Sequence, residues 1–172
     1  GGPDSGAVLG WANHITARDA QAQIVLYAIS MGAATVMMTS GEALPPTVRV
    51  IVEDCGYTSV WDEFAYQLRK LYKVPPFPIL HIASLMTRAR LGWGLGEANA
   101  ARQLAKSNLP IFCVHGSKDT FVPVKMLNEV YEAAHFPKEK LLVEGAGHGG
   151  ANVVGGKMYW DAISDFIFKF IQ

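Results

Sequence analysis

Four short apolar runs recur along the chain, separated by polar residues and glycines. They occupy residues 24–29, 48–55, 110–116 and 140–147. Each consists largely of valine, isoleucine and leucine, which is typical of strands covered on both faces in a parallel sheet. Residues 124–136 and 157–171 instead carry apolar side chains at every third or fourth position, as amphipathic helices do. This alternation predicts an α/β fold, a parallel sheet of about four strands flanked by helices.

The segment between the second and third runs, residues 56–109, is longer than a single crossover helix requires. Its first part predicts an amphipathic helix with an apolar face formed by Val60, Phe64, Leu68 and Leu71. The prolines of "VPPFP", residues 74–78, must end that helix. Two further helical stretches, about 79–91 and 97–107, can follow. We therefore predict a helical cap inserted above the sheet, within a domain that spans residues 1–172.

Composition narrows the class of protein. The 172 residues are 50% hydrophobic and 17% charged, which suits one globular domain. Fifteen basic residues balance 15 acidic ones, so we expect no nucleic acid and no membrane as partners, but a small molecule. Cys55 and Cys113 lie in apolar runs, which predicts buried, reduced thiols. The sequence shows no long apolar span and no signal pattern, which favours a cytoplasmic location unless a targeting segment precedes it.

Ser30 lies where the first apolar run meets a stretch of small residues. The surrounding sequence, "AISMG", has the form A-x-S-x-G, which is close to that of a nucleophile elbow between a strand and a helix. Such a turn is strained and needs small residues two positions before and after the serine. Gly32 meets that need, and Ala28 stands where glycine is usual. A serine N-cap on the following helix explains the same residue equally well.

Two further polar residues follow the third and fourth runs. Asp119 lies in "HGSKDTFVP" and His148 in "EGAGHGG". Because the carboxyl ends of parallel strands meet at one crevice, side chains far apart in sequence can converge there. Taken singly, Asp119 suits a turn and His148 suits an exposed loop. Together with Ser30, each directly after its own strand, they predict a nucleophile, a base and an orienting acid.

The motifs "ISMGAAT", "EDCGYTS", "HGSKDTFVP" and "GAGHG" resemble those of the C-terminal half of an α/β-hydrolase, in particular the single-domain bacterial hydrolases with an S-M-G-A-A elbow. The resemblance covers about residues 24–171. It implies a serine hydrolase that cleaves an ester or related acyl bond through an acyl-enzyme, with no cofactor. Ser30 would be the nucleophile, His148 the general base and then acid, and Asp119 the orienting residue. The backbone N–H of Met31 would be one oxyanion donor.

Asp54 is a second candidate for the acid, because some members of the superfamily place it after the preceding strand. The H-G-x-x-D-x-x-V-P setting of Asp119 matches the commoner arrangement. We therefore assign the acid to Asp119. Asp54 and Glu53 are expected to cap the next helix or to line the cleft.

Other patterns in the chain carry less chemistry. "GWGLG", residues 92–96, follows no strand, so it does not suit a dinucleotide site, and "GGKM" lacks the spacing of a phosphate loop. The five histidines show no ligand spacing, so no metal site is predicted. Large apolar residues of the cap could shape an acyl pocket or simply pack together: Trp61, Phe64, Met86 and Trp93.

The resemblance implies that four strands and the loop with the second oxyanion N–H lie outside this sequence. Residues 1–23 cannot replace them, and "GAVLGWANHI" resembles the helix before the family's fifth strand. We therefore expect a part of a longer protein, with little turnover by itself. The alternative function is a non-catalytic half-domain that assembles through its open sheet edge. In either case strand 24–29 could pair with a second copy.

Overall fold

The computed structural model describes residues 3–135 and 137–171. Its centre is a four-stranded sheet in which all neighbouring strands are parallel and follow one another in chain order. The strands are β1 (Ile24–Ile29), β2 (Val48–Asp54), β3 (Ile111–Gly116) and β4 (Lys138–Val143). The predicted α/β fold with a parallel sheet is therefore confirmed.

Among the described residues, seven α-helices connect and cover the strands. They are α1 (Pro3–Arg18), α2 (Met31–Ser40), α3 (Val60–Gln67), α4 (Ile79–Leu91), α5 (Ala100–Leu104), α6 (Lys125–Ala133) and α7 (Ala151–Ile167). The helix predicted at 157–171 begins six residues earlier and is kinked at Gly156, whose φ of 48° favours glycine. No helix among residues 3–135 and 137–171 is long and apolar enough to cross a bilayer.

The two faces of the sheet bury separate apolar clusters. Ile51 and Cys113 pack under α2, α5 and α6, whereas Val52 and Val114 pack under α7. Every residue of β3, and every residue of β2 except Arg49, is buried. Continuous apolar runs in these two strands thus reflect burial on both faces. The outer strands β1 and β4 are only partly buried because each has one neighbour among the described strands.

The segment 56–109 is largely helical, as predicted. It contains α3, a π-helical turn (Leu68–Tyr72), α4, a short 3₁₀ helix (Leu95–Glu97) and α5. A small cluster formed by Ala65, Leu80 and Leu95 holds its first part together. Its last helix, α5, instead buries Ala100 and Leu104 in the main core under α2. The division of the chain at 56–109 stays a prediction, and α5 joins the layer that covers the sheet.

The fourth apolar run and the strand β4 have different bounds. The run spans 140–147, whereas β4 ends at Val143. Beyond that residue the chain turns at Gly145, which has a φ of 80°. The apolar residue Ala146 is buried in this turn and not in the sheet. The turn carries His148 back toward the ends of the strands.

Candidate active site

Ser30 forms a sharp turn between β1 and α2. Its φ of 56° and ψ of −118° lie in a region that non-glycine residues rarely adopt. The backbone N–H of Ser30 donates to the carbonyl of Asp54 (2.8 Å), which ties the turn to β2. The Ser30 side chain makes no capping hydrogen bond to α2. The N-cap explanation of this serine therefore lacks the bond on which it depends.

Small residues allow this turn to close. A Cβ placed on Gly32 would lie 3.2 Å from the Cβ of Ala28, which is closer than ordinary van der Waals contact. Ala28, at the position where glycine is usual, thus already fills the space on that side of the turn. The strained backbone directs the Ser30 hydroxyl to His148, with Oγ 2.7 Å from Nε2.

Asp119 is held rigidly in the loop that follows β3. Its Oδ1 accepts hydrogen bonds from the backbone N–H groups of Phe121 (2.8 Å) and Val122 (3.0 Å). Its Oδ2 lies 2.8 Å from Nδ1 of His148 and 3.4 Å from Nε2 of the buried His115. The Asp119 side chain is fully shielded from solvent. These contacts leave the carboxylate one orientation, facing His148.

His148 joins the other two residues through both ring nitrogens. A carboxylate only accepts hydrogen bonds, so the contact with Asp119 assigns the proton to Nδ1 and leaves Nε2 free to accept from the Ser30 hydroxyl. The ring lies 4.8 Å from that of Phe121, and a quarter of the side chain (25%) is exposed. The arrangement can transfer a proton from Ser30 to an oriented, accessible imidazole.

Gly116 positions the loop that carries His148. A Cβ on this residue would overlap the backbone carbonyl of Ala146. The N–H of Lys118 donates to that same carbonyl (2.9 Å), and the N–H of Gly145 donates to Oγ of Ser117 (2.8 Å). The end of β3 and the turn after β4 therefore touch through backbone atoms, which brings Asp119 and His148 together.

Asp54 follows β2 but makes no hydrogen bond to His148. Its Oδ2 accepts from the Tyr159 hydroxyl (2.7 Å), which also lies 3.0 Å from the hydroxyl of Tyr27. Burial raises the pKa of Asp54, and the bond from Tyr159 partly offsets that effect. The structure thus places Asp119, and not Asp54, within hydrogen-bond distance of His148.

The two acids at the end of β2 do not cap α3, which was one of the two roles expected of them from the sequence. Ser59 caps that helix by accepting from the N–H of Asp62 (3.0 Å). Glu53, the penultimate residue of β2, is fully buried, and its Oε2 accepts a hydrogen bond from the N–H of Gly56 (2.9 Å). Burial raises the pKa of Glu53 to about 8.

A cavity of about 470 Å³ opens beside Ser30. Met31, the first residue of α2, also lines it, and a backbone N–H at the first position of a helix has no acceptor within that helix. Phe64 and Trp93 contribute to the wall, and their role in binding a substrate stays a prediction. Another cavity, of about 530 Å³, lies at the opposite ends of the strands near Val48 and Pro110 and contains none of the predicted residues.

The other two predicted pocket residues lie elsewhere. The ring of Trp61 packs edge-on against His81, with centroids 5.0 Å apart. Met86 is half-exposed on α4. Neither is among the residues that line the cavity beside Ser30.

Sequence reasoning missed several polar residues in the wall of this cavity. Within the described part of the chain, buried atoms of three lining residues have no hydrogen-bond partner: Ser5 Oγ, Glu63 Oε2 and Trp93 Nε1. For Glu63 a signal existed, because it lies on the helical face that also presents Val60 and Phe64. A charged residue on an otherwise apolar face is unusual unless it has a partner or a function.

Cys55 adds a thiol to the same region. Its Sγ, a carboxylate oxygen of Asp119 and a ring nitrogen of His148 lie within 4.8 Å of one another, so these three groups could together hold a metal ion. The sequence predicts no such site. Burial, followed by the charge of Asp54, raises the pKa of the Cys55 thiol to about 12, which disfavours the thiolate that binds metals. Both cysteines are free and buried, as predicted.

Sequence comparison with known proteins finds a curated relative but no matching family model. No protein-family model matches the chain. The uncharacterized protein YqkD of Bacillus subtilis is 25% identical over 144 residues, which cover 84% of this chain and 47% of that protein. The chain thus spans about half the length of this curated relative.

Solved structures of other proteins share the architecture. A Pyrococcus furiosus esterase, Pf2001, aligns with a TM-score of 0.69 at 17% identity and covers 98% of this chain and 62% of its own. A puromycin-hydrolyzing peptidase of Mycobacterium tuberculosis aligns with a TM-score of 0.71 at 16% identity, over 98% of this chain and 25% of its own. At such identities the likeness concerns the fold alone.

Proposed function

We propose that the chain, whose fold is shared by a solved esterase and a solved peptidase, is an α/β-hydrolase that carries the catalytic residues of a serine hydrolase cleaving an ester or related acyl bond. The observation that carries this proposal is the continuous chain of hydrogen bonds from Ser30 through His148 to Asp119. The strained backbone of Ser30, which holds the hydroxyl at the cavity, supports it further.

In the proposed reaction, Ser30 Oγ attacks the acyl carbon while its proton passes to Nε2 of His148. Asp119 keeps the Nδ1 proton in place and stabilises the imidazolium that forms. The N–H of Met31 donates to the developing oxyanion. His148 then protonates the leaving group, which leaves an acyl group on Ser30. Water, deprotonated by the same imidazole, releases the acid and restores the serine.

Labelling with a fluorophosphonate tests this assignment in the full-length protein. Mass spectrometry should locate the adduct on Ser30, and Ser30→Ala should abolish both the adduct and ester hydrolysis. Ser164→Ala, which removes a partly buried hydroxyl on α7, is the matched control and should retain both. An adduct on another serine, or labelling that persists in Ser30→Ala, would show that Ser30 is not the nucleophile.

The alternative is assembly through β1. This strand lies at one side of the sheet, and its outer edge pairs with no strand in the described parts of the chain. A half-domain that served only for assembly would dimerise through this edge and would not be labelled at Ser30.

A further inference from the structure

The cavity beside Ser30 combines apolar walls with negative charge. Val60, Phe64 and Trp93 supply apolar surface. The charged residues that line it are Asp4 and Glu63, and no lysine, arginine or histidine is among its described lining residues. Such a cavity suits a hydrocarbon body that carries a positive charge.

Glu63, a residue of this wall, has one carboxylate oxygen without a partner. The residue is 4% exposed, and its Oε1 accepts from Nε2 of Gln67 (2.7 Å). Its Oε2 is buried and has no hydrogen-bond partner in the described structure, and the same holds for Oγ of Ser5 in the same cavity. Buried oxygens of this kind are costly and are normally satisfied. A donor on a bound molecule would satisfy Glu63.

Electrostatics favour a charged donor over a neutral one. Burial is the main cause that raises the pKa of Glu63, and the carboxylate of Asp119 raises it further. The hydrogen bond from Gln67 and the electrostatic effects of His148 and Lys70 lower this pKa. A cation beside the carboxylate would oppose the effects of burial and of Asp119. Because burial already desolvates the carboxyl in the free protein, most of the remaining desolvation cost falls on the ligand ammonium group.

Given the hydrolase function proposed above, we propose that Glu63 is a specificity residue that selects esters or amides with a protonated amine on an apolar body. The apolar body would pack against Phe64 and Trp93, and the ammonium group would donate to Glu63 Oε2. Ser5 Oγ offers a second acceptor in the same cavity. A substrate with a methyl group in place of the ammonium would leave Glu63 unpaired.

Matched ester pairs test this inference in the full-length protein. On the acyl side, 4-nitrophenyl 6-aminohexanoate is compared with the heptanoate, which has a methyl group in place of the amine. On the alcohol side, the hexanoate ester of 4-aminobutanol is compared with that of pentanol. We expect the wild type to prefer the amine-bearing member of at least one pair by roughly 10- to 100-fold in kcat/KM, as hydrogen bonds between charged groups predict.

Glu63→Gln should reduce this ratio to near one, because the amide keeps the shape and the contact with Gln67 but loses the charge. The ratio within one preparation is independent of its active fraction, so partial misfolding does not disguise the result. Glu132→Gln, at an exposed glutamate on α6, should leave the ratio unchanged. Hexylammonium should also inhibit the wild type more strongly than 1-hexanol.

The outcomes separate the two proposals. If the neutral esters are hydrolysed and Ser30 is labelled, but neither pair shows a preference or Glu63→Gln leaves the preference intact, the inference about Glu63 is wrong and the hydrolase proposal stands. If no ester is hydrolysed and Ser30 is not labelled, both are wrong. Stronger inhibition by 1-hexanol than by hexylammonium also overturns the role of Glu63.

Discussion

The buried carboxyl of Glu53 makes the stability of the protein depend on pH in a way that one substitution can isolate. Its pKa is about 8 in the folded protein against an ordinary value of 4.5, chiefly because burial disfavours the charged form. Below pH 4.5 the carboxyl is protonated in both the folded and the unfolded state. As the pH rises from there, the unfolded chain loses the proton while the folded protein keeps it. The free energy of unfolding therefore falls.

The loss is complete above about pH 8, where the folded protein also ionises. With 1.36 kcal/mol for each pH unit between the two pKa values, the full change is up to about 5 kcal/mol. Domains of this size have unfolding free energies of about 5–15 kcal/mol, so the effect is large enough to measure. Glu53→Gln removes the titrating group and keeps an oxygen that can accept from the N–H of Gly56.

Urea denaturation of wild type and Glu53→Gln, followed by circular dichroism between pH 5 and 9, tests this prediction. We expect the variant to gain stability relative to the wild type as the pH rises. Other titrating groups are common to both proteins and cancel in the difference, apart from the neighbouring Asp54, whose charge contributes to the raised pKa. Glu132→Gln, at an exposed position, should run parallel to the wild type. Parallel curves for Glu53→Gln would refute the argument.

Three further predictions concern the site and the sheet edge. Gly116→Ala should lower kcat and destabilise the fold by roughly 1–3 kcal/mol, because its methyl group would displace the Ala146 carbonyl and with it His148. The control Gly96→Ala, whose methyl group would meet no atom within 4 Å, should change neither kcat nor stability. Equal effects of the two variants in an esterase assay and in thermal unfolding would contradict the packing argument. His148→Ala should abolish ester hydrolysis, because it removes the ring nitrogen that lies against the Ser30 hydroxyl, and an unchanged rate would argue against His148 as the base. The chain should self-associate through the unpaired edge of β1, and sedimentation velocity that shows only a monomer would disprove this.

Much of the fold could be predicted from local patterns. The run at 24–29 matches β1 residue for residue, and the helix predicted at 79–91 matches α4. Such segments follow from the spacing of apolar residues and from prolines and glycines at their ends, which act over a few residues. The proximity of Ser30, Asp119 and His148 could be predicted for a related reason, since each follows a strand and the carboxyl ends of parallel strands converge.

Packing between distant segments decided the rest. Asp54 and Asp119 both follow a strand; the sequence setting favours Asp119, and the contact of the β3 end with the turn after β4 brings its carboxylate to His148. Helix α5 joins the core under α2, although its sequence placed it in the cap. These outcomes depend on the distance between residues far apart in sequence, which no local pattern encodes.

The sequence also did not predict which side chains line the cavity. Trp61 and Phe64 are both large and apolar and lie on one helix, yet only Phe64 lines the cavity, while Trp61 packs against His81. Glu63, which composition alone would place in solvent, is buried at the cavity wall with an unpaired oxygen. The sequence by itself determined the order of strands and helices and the three residues at the strand ends. Only tertiary packing decided which of the other side chains face the cavity, because the α3 side chains contact α4, the core or open space according to how the helices assemble.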